Sequence, residues 1–223
     1  MKASFKIISM IVALLILFQT FAYADENRKY ADALYELGLF SGTDKGYELD
    51  KTFTREEAVT VIVRLLGEAD KLDGYGFTEK FTDVKRERWS FKYVMYCYEN
   101  GITYGTGENT FSPEETIDSY QFVTLLLRVM GYEDTKLYES LDDAVKYQLF
   151  NSDIAEKITD EKNLKREDMV YILYRSLKTK TADGELFANC LEKRGVITAK
   201  EAAEFDVYND FENIDELLEE LLN

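Results

Sequence analysis

The sequence repeats itself, from Leu37 to Gly67 as LGLFSGTDKGYELDKTFTREEAVTVIVRLLG and from Asn100 to Gly131 as NGITYGTGENTFSPEETIDSYQFVTLLLRVMG. The two copies align when the loop of the second is allowed one extra residue. Identical residues then pair as Gly38 and Gly101, Gly42 and Gly105, Thr43 and Thr106, Arg64 and Arg128, and Gly67 and Gly131. Self-similarity of this kind is typical of repeat proteins, in which one unit cannot cover its own apolar face.

A third and more divergent copy, LKREDMVYILYRSL, begins at Leu164. Each copy follows an earlier helical stretch, KYADALYEL, WSFKYVMYCYEN or LDDAVKYQLF, and a fourth such stretch, FANCLEKRGVI, comes after the last copy. The predicted unit is a helix, a glycine-bearing turn, a short extended loop and a capped helix. With a single proline in the chain, the fold class is predicted to be mainly α, with three helix-loop-helix units packed around a common axis.

The first copy shows why its second helix should form. Thr54 and Glu57 fit a capping box, and Gly67 provides a left-handed stop. Between them the apolar residues recur at the spacing of one buried helix face: Ala58, Val61, Ile62 and Leu65. Arg55 is not explained by helix formation, because the first turn of a helix favours an acidic residue.

The N-terminus has the pattern of a secretory signal. Lys2 and Lys6 precede an apolar run over residues 7–18, and Ala22-Tyr23-Ala24 forms a small-residue cleavage site. We predict a signal peptide over residues 1–24 and a mature, secreted chain without a membrane span; a single membrane-spanning helix is the alternative. Three repeats are then expected at 25–74, 75–139 and 140–200, followed by an acidic amphipathic tail at 201–223.

The composition excludes several classes of function. The formal charge of −16 becomes −18 when Lys2 and Lys6 leave with the signal peptide, so nucleic acid is not an expected partner, and an anionic ligand needs a local cluster of arginine or lysine. The absence of histidine removes the commonest general base and metal ligand. No catalytic residue, metal or cofactor is predicted. Whether Cys97 and Cys190 form a disulfide is left open.

The second copy resembles the S-layer homology repeat over FTDVKRERWSFKYVMYCYENGITYGTGENTFSPEETIDSYQF, which starts at Phe81. The residues that match the family pattern are Phe81, Asp83, Val84, Trp89, Gly101, Ile102, Gly105, Gly107, Phe111, Pro113, Ile117 and Phe122. The first copy has the variant opening LGLF-x-GT, followed by Thr54, Arg55 and Glu57 in the place of the T-R-x-E motif. The resemblance implies a pseudo-threefold helical module that binds a secondary cell wall polymer, often one bearing pyruvate ketals.

Arg55 then acquires a hypothetical role. A helix N-terminus presents unpaired backbone amides, and the guanidinium of an arginine at its first position can form two parallel hydrogen bonds to a carboxylate. We therefore predict that Arg55 and its helix start, with Thr54 and Glu57, bind the polymer. The alternative is a solvated surface charge or a partner of Asp50 or Glu56. Arg166 occupies the same place in the third copy, whereas the second copy has Ser119, so at most two competent binding grooves are expected. Substitution of Arg55 is expected to affect binding more than folding.

The other predicted polymer-binding residues each have two possible roles. Trp89 is expected either to stack on a sugar ring or to anchor the core. Backbone close to a sugar is predicted at Gly42, Thr43, Gly105, Thr106 and Gly107, where tight turns are the alternative explanation.

The predicted function is therefore non-catalytic, non-covalent anchoring at the cell surface through an anionic, peptidoglycan-linked polysaccharide. The alternative is an interaction scaffold whose acidic C-terminal helix recruits another envelope protein.

Overall fold

The computed structural model describes residues 27–160 and 163–206, and these are mainly helical. The α-helices are 27–36 (α1), Arg55–Leu65 (α2), Phe91–Glu99 (α3), Ser119–Val129 (α4), Ser140–Lys146 (α5), Ser152–Asp160 (α6), Arg166–Leu177 (α7), Phe187–Lys193 (α8) and 199–206 (α9), with 3₁₀ turns at Ala69–Lys71 and Leu137–Glu139. In these two ranges, extended pairing is limited to isolated β-bridges. The predicted mainly α class is confirmed.

The second helices of the three repeats, α2, α4 and α7, begin where their sequences predict. In α2 the capping box is complete, because the Thr54 hydroxyl accepts from the Glu57 amide and the Glu57 carboxylate accepts from the Thr54 amide. Asp118 caps α4, whereas Lys165 precedes α7 without a side-chain cap. The predicted apolar faces are all buried, comprising Ala58, Val61, Ile62 and Leu65 on α2, Phe122, Leu125, Leu126 and Val129 on α4, and Met169, Ile172 and Leu173 on α7.

A closed ring of three backbone hydrogen bonds joins the starts of these helices. Phe53 donates to the Leu164 carbonyl at 3.1 Å, Leu164 donates to Ile117 at 3.0 Å, and Ile117 donates to Phe53 at 2.8 Å. Each of the three residues directly precedes an N-cap and is buried. The ring relates the three helix starts to one another, while the pseudo-threefold arrangement of the whole repeats stays a prediction.

The turns after the first helices share one conformation. Gly38 and Gly101 have φ of 71° and 69°, and the corresponding residue after α5 is Gln148, with φ of 62°. In each turn the amide of the following residue donates a hydrogen bond to a carbonyl of the preceding helix, as Leu149 does to Ala144 at 2.8 Å. The third copy departs from the predicted unit after this turn, because α6 replaces most of the extended loop.

Two predicted terminal segments fall largely outside the described residues. These are the signal peptide at 1–24 and the tail from residue 207 onward. The described beginning of the predicted tail belongs to α9, where Phe205 is buried with its ring centroid 5.7 Å from that of Tyr174. In the described part of the chain, no helix has both the length and the apolar character needed to cross a membrane.

Candidate polysaccharide-binding clefts

Two clefts lie where a helix start of one repeat meets the loop of another. We call the larger one the Arg55 cleft, with a cavity volume of about 410 Å³. It is lined by Arg55, Val59, Thr103, Tyr104, Gly105, Thr106, Phe111, Ile117, Gln121, Thr124, Leu125, Arg128, Leu137 and Tyr138. It lies between the first and second repeats, and its charged lining residues are two arginines.

The second cleft repeats the same plan with different residues. This Arg166 cleft has a cavity volume of about 160 Å³. It is lined by Phe40, Ser41, Gly42, Thr43, Phe53, Glu57, Thr60, Val61, Arg64, Trp89 and Arg166. Here the third repeat supplies the helix-start arginine and the first repeat supplies the loop.

Arg55 is buried and crosses between repeats. Its Nε donates to the Phe111 carbonyl at 2.8 Å, its Nη1 donates to Gln121 Oε1 at 2.6 Å, and its guanidinium carbon lies 4.8 Å from the centroid of the Phe111 ring. Arg55 is 7% exposed. Burial lowers the pKa of its guanidinium, an effect that nearby carboxylates only partly offset. Both hydrogen-bond acceptors are neutral, so its positive charge has no ion-pair partner at these two nitrogens.

Arg166 makes the corresponding contacts in its own cleft. Its Nε donates to the Tyr47 carbonyl at 2.9 Å, and its Nη1 donates to Glu57 Oε1 at 3.2 Å. The guanidinium carbon lies 5.1 Å from the centroid of the Phe40 ring. Because Glu57 replaces the neutral Gln121, the charge of Arg166 is paired with a carboxylate.

The helix-start amides are not free to bind a ligand, so that part of the predicted mechanism is wrong. The Arg55 and Glu56 amides donate to the carbonyls of Glu115 and Pro113, at 2.9 and 3.1 Å. The start of α7 is occupied in the same way, by the carbonyls of Lys51 and Leu49. The loop of another repeat already satisfies the groups that an isolated helix would leave open.

The alternative interpretation of Arg55 is also wrong. The side chain is not a solvated surface charge, because it is buried and donates hydrogen bonds to Phe111 and Gln121. Glu56 is paired instead with Arg88, which contacts both of its carboxylate oxygens at 2.7 and 2.8 Å.

The start of α4, in the second repeat, makes an equivalent hydrogen bond to another repeat although it has no arginine. Ser119, at the first position of α4, is buried and its Oγ donates to the Ile158 carbonyl at 3.0 Å. Asp168, at the third position of α7, accepts from Lys157 Nζ at 3.0 Å. A lysine on α6 therefore provides the positive charge at this interface. That only two sites bind polymer stays a prediction.

Sequence reasoning missed the second arginine of each cleft. Arg64 and Arg128 each lie ten residues beyond an N-cap and are not among the predicted polymer-binding residues, yet both line a cleft. Arg128 Nη1 donates to the Ile102 carbonyl at 2.9 Å, and its guanidinium lies 5.1 Å from the Tyr104 ring centroid. Its Nε is buried without a hydrogen-bond partner among the described residues. Recurrence of these arginines at equivalent positions was the available signal.

Exposed aromatic side chains border both clefts. Trp89 lines the Arg166 cleft and is 54% exposed, so the core-anchor interpretation of this residue is wrong. Tyr138 and Tyr104 line the Arg55 cleft, with 81% and 65% exposure. Sequence analysis did not identify these two tyrosines. An exposed ring beside a polar cleft can stack on the apolar face of a sugar.

The predicted loop residues divide between the clefts. Gly42 and Thr43 line the Arg166 cleft, and Gly105 and Thr106 line the Arg55 cleft. Gly107 is not a lining residue of either one, although it pairs with Thr110 in the same loop. The loop of the second repeat is also fixed by Asp83, whose carboxylate accepts hydrogen bonds from the Phe111 and Ser112 amides.

Other chemically reactive groups lie apart from the clefts. Cys97 and Cys190 are free thiols, and burial raises the pKa of Cys97. In the described ranges, no group of three or more cysteine, aspartate and glutamate side chains is placed to hold a metal ion.

Comparison with known proteins identifies the second repeat. The S-layer homology domain matches residues 80–118, which confirms the resemblance. The chain is 33% identical over 109 residues to the middle cell wall protein of Brevibacillus brevis, covering 48% of this chain and 10% of that protein. It is also 29% identical over 107 residues to an endoglucanase of Bacillus sp., covering 43% and 11%.

A third relative has a name that refers to attachment. The cellulosome-anchoring protein of Acetivibrio thermocellus is 25% identical over 84 residues, covering 38% of this chain and 19% of that protein. The chain therefore spans only a tenth to a fifth of the length of these three relatives.

Proposed function

Because the chain contains an S-layer homology domain, we propose that it attaches non-covalently to the cell wall by binding an anionic polysaccharide in the Arg55 cleft. The observation on which this proposal rests is the pair of arginines, Arg55 and Arg128, that line one cleft of a strongly acidic protein. Long-range attraction is unfavourable at a net charge of −16, so binding depends on this local pair.

The hydrogen-bonding capacity of the pair suits a carboxylate. Arg55 uses Nε and Nη1 for protein acceptors, and its Nη2 makes no hydrogen bond to the described residues. Arg128 uses Nη1 in the same way. Each guanidinium thus keeps a terminal nitrogen for a ligand, and a charge-assisted hydrogen bond is stronger than one between neutral groups.

The walls of the cleft suit a sugar. Tyr104 and Tyr138 present exposed rings, and Arg128 lies against Tyr104, which fixes the position of its guanidinium relative to that ring. A pyruvate ketal places a carboxylate directly on a sugar ring, so one residue of such a polymer would satisfy both the arginines and the tyrosines. We propose that this modified sugar is the ligand.

The names of the relatives suggest that what they share with this chain is a place of attachment rather than a catalysed reaction. A cell wall protein, an endoglucanase and an anchoring protein match the chain over small parts of their lengths. Similarity to small parts of proteins with such different names is better explained by attachment than by one reaction. We therefore propose a non-catalytic protein that is secreted through its N-terminal signal and retained at the cell wall.

Sedimentation with purified wall sacculi tests this function. Wild-type protein should sediment with the sacculi, and Arg128→Gln and Tyr138→Ala should each reduce the bound fraction at least threefold without lowering the melting temperature appreciably. Tyr75→Ala is the matched control, because Tyr75 is 63% exposed but lines neither cleft. Wild-type protein that stays in the supernatant would overturn the proposal.

A further inference from the structure

We infer that the two clefts differ in charge selectivity, with the Arg55 cleft preferring an acidic sugar more strongly than the Arg166 cleft does, and that Gln121 and Glu57 determine this difference. The inference rests on the proposed function and extends it to the chemistry of each cleft.

The two residues occupy the same structural position. Gln121 is the third residue of α4 and Glu57 is the third residue of α2. Each accepts a hydrogen bond from the Nη1 atom of the cleft arginine, at 2.6 Å from Arg55 and 3.2 Å from Arg166. The side chains differ by an amide in place of a carboxylate, so the contact is preserved while its charge changes.

The difference alters the charge of each cleft. Arg55 and Arg128 give the first cleft two positive charges, whereas Arg64 and Arg166 are opposed in the second by Glu57. Glu57 is only partly buried, with 34% of its side chain exposed, so its carboxylate faces any occupant of the cleft. Repulsion by this carboxylate would offset part of the attraction that the two arginines exert on an anionic sugar.

Carboxylates near the Arg55 cleft do not reproduce this effect. Asp83 and Asp118 accept backbone amide hydrogen bonds, at distances of 2.7 to 3.1 Å. Neither residue lines the cleft, and neither does Glu115. Burial lowers the pKa of the Arg55 guanidinium, and all three carboxylates only partly offset that effect.

Tryptophan fluorescence can report on one cleft at a time. Trp89 is the only tryptophan in the chain and lines the Arg166 cleft. The double variant Trp89→Phe/Tyr138→Trp moves the reporter to the Arg55 cleft. The probes are a methyl hexoside bearing a pyruvate ketal and the methyl ester of the same compound, which has the same ring without the charge.

The expected result is a different degree of preference in the two reporters. The relocated reporter should show clearly tighter binding of the acid than of the ester, and the Trp89 signal should show a smaller difference between the two. Glu57→Gln should tighten acid binding in the Arg166 cleft by about tenfold, and Gln121→Glu should weaken it in the Arg55 cleft by about tenfold. Both substitutions are compatible with the helix start, because glutamate and glutamine serve equally at the third position.

The possible failures are distinguishable. Equal preference in both clefts, or unchanged acid affinity in both substituted proteins, would overturn the inference and leave the proposed function intact. The same holds if neither glycoside binds while the protein still sediments with sacculi. If the wild-type protein does not sediment with sacculi, the proposed function and this inference are both overturned.

Discussion

The Nε atom of Arg55 donates a hydrogen bond to the carbonyl oxygen of Phe111, 2.8 Å away in the next repeat. Arg166 and Ser119, at the same helix position, donate to the carbonyls of Tyr47 and Ile158. The first side chain of α2, α4 and α7 therefore links its repeat to another one, through a loop for Arg55 and Arg166 and through α6 for Ser119. This position stabilises the arrangement of repeats, whether or not it also contacts a ligand.

Replacement of Arg55 should consequently destabilise the fold, contrary to the expectation from sequence. Arg55→Ala leaves the buried Phe111 carbonyl and the Gln121 amide oxygen without their donor, and we expect a loss of about 2–4 kcal/mol in the free energy of unfolding. Arg64→Ala should cost less than about 1 kcal/mol, since Arg64 contacts the exposed Ser41 hydroxyl. Urea denaturation measures both, and equal losses would contradict this role for Arg55.

Glu56 should make stability depend on pH. Burial alone raises the pKa of its carboxyl, but hydrogen bonds from Arg88 and Ser90, together with attraction to Arg88, outweigh burial and hold that pKa below its ordinary value. A lowered folded-state pKa stabilises the protein above the unfolded pKa of about 4.3, and this contribution disappears as pH falls through the folded value.

Thermal unfolding between pH 7 and pH 3 tests this prediction. Glu56→Gln should melt at a lower temperature than wild type at pH 7, and the difference should shrink toward pH 3. Glu114→Gln is the control, because Glu114 also contacts Arg88 but has 80% of its side chain exposed. A constant difference between Glu56→Gln and wild type at every pH would contradict the assignment.

Gln148 should be a site where glycine increases stability. Its φ of 62° lies in the left-handed region, where Gly38 and Gly101 occupy the equivalent turns. Gln148→Gly should raise the free energy of unfolding by up to about 1 kcal/mol, since glycine adopts this conformation without a Cβ penalty but loses more entropy on folding. Gln148→Ala keeps the Cβ and should give no such gain. Chemical denaturation showing that glycine is no better than alanine would refute the prediction.

Gly105 should be intolerant of any side chain. A Cβ at this position would lie 2.4 Å from the Thr110 carbonyl oxygen and 2.6 Å from the Phe81 ring, and φ is +82°. Gly105→Ala should therefore cost about 1–3 kcal/mol of stability. Gly76→Ala is the matched control, because its Cβ would meet nothing within 4 Å. Similar melting temperatures for the two variants would show that the loop adapts.

Much of the fold was predictable because its determinants are local. The capping box of Thr54 and Glu57 involves residues three positions apart, and the apolar faces of α2, α4 and α7 follow helical spacing. The left-handed glycines after the helices are equally local. The third repeat was predicted less well, because no glycine marks the turn at Gln148 and α6 replaces most of the expected loop.

The sequence by itself determined the repeats, their helices and the helix-start position of the arginines. Only the tertiary structure decided what those arginines contact, since Arg55 and Phe111 are 56 residues apart and Arg166 and Ser41 are 125 apart. Glu57 illustrates the distinction: it completes a local cap and also pairs with Arg166 from another repeat. Capping depends on near neighbours along the chain, whereas the helix amides, cleft walls and cleft charges depend on which repeats pack together.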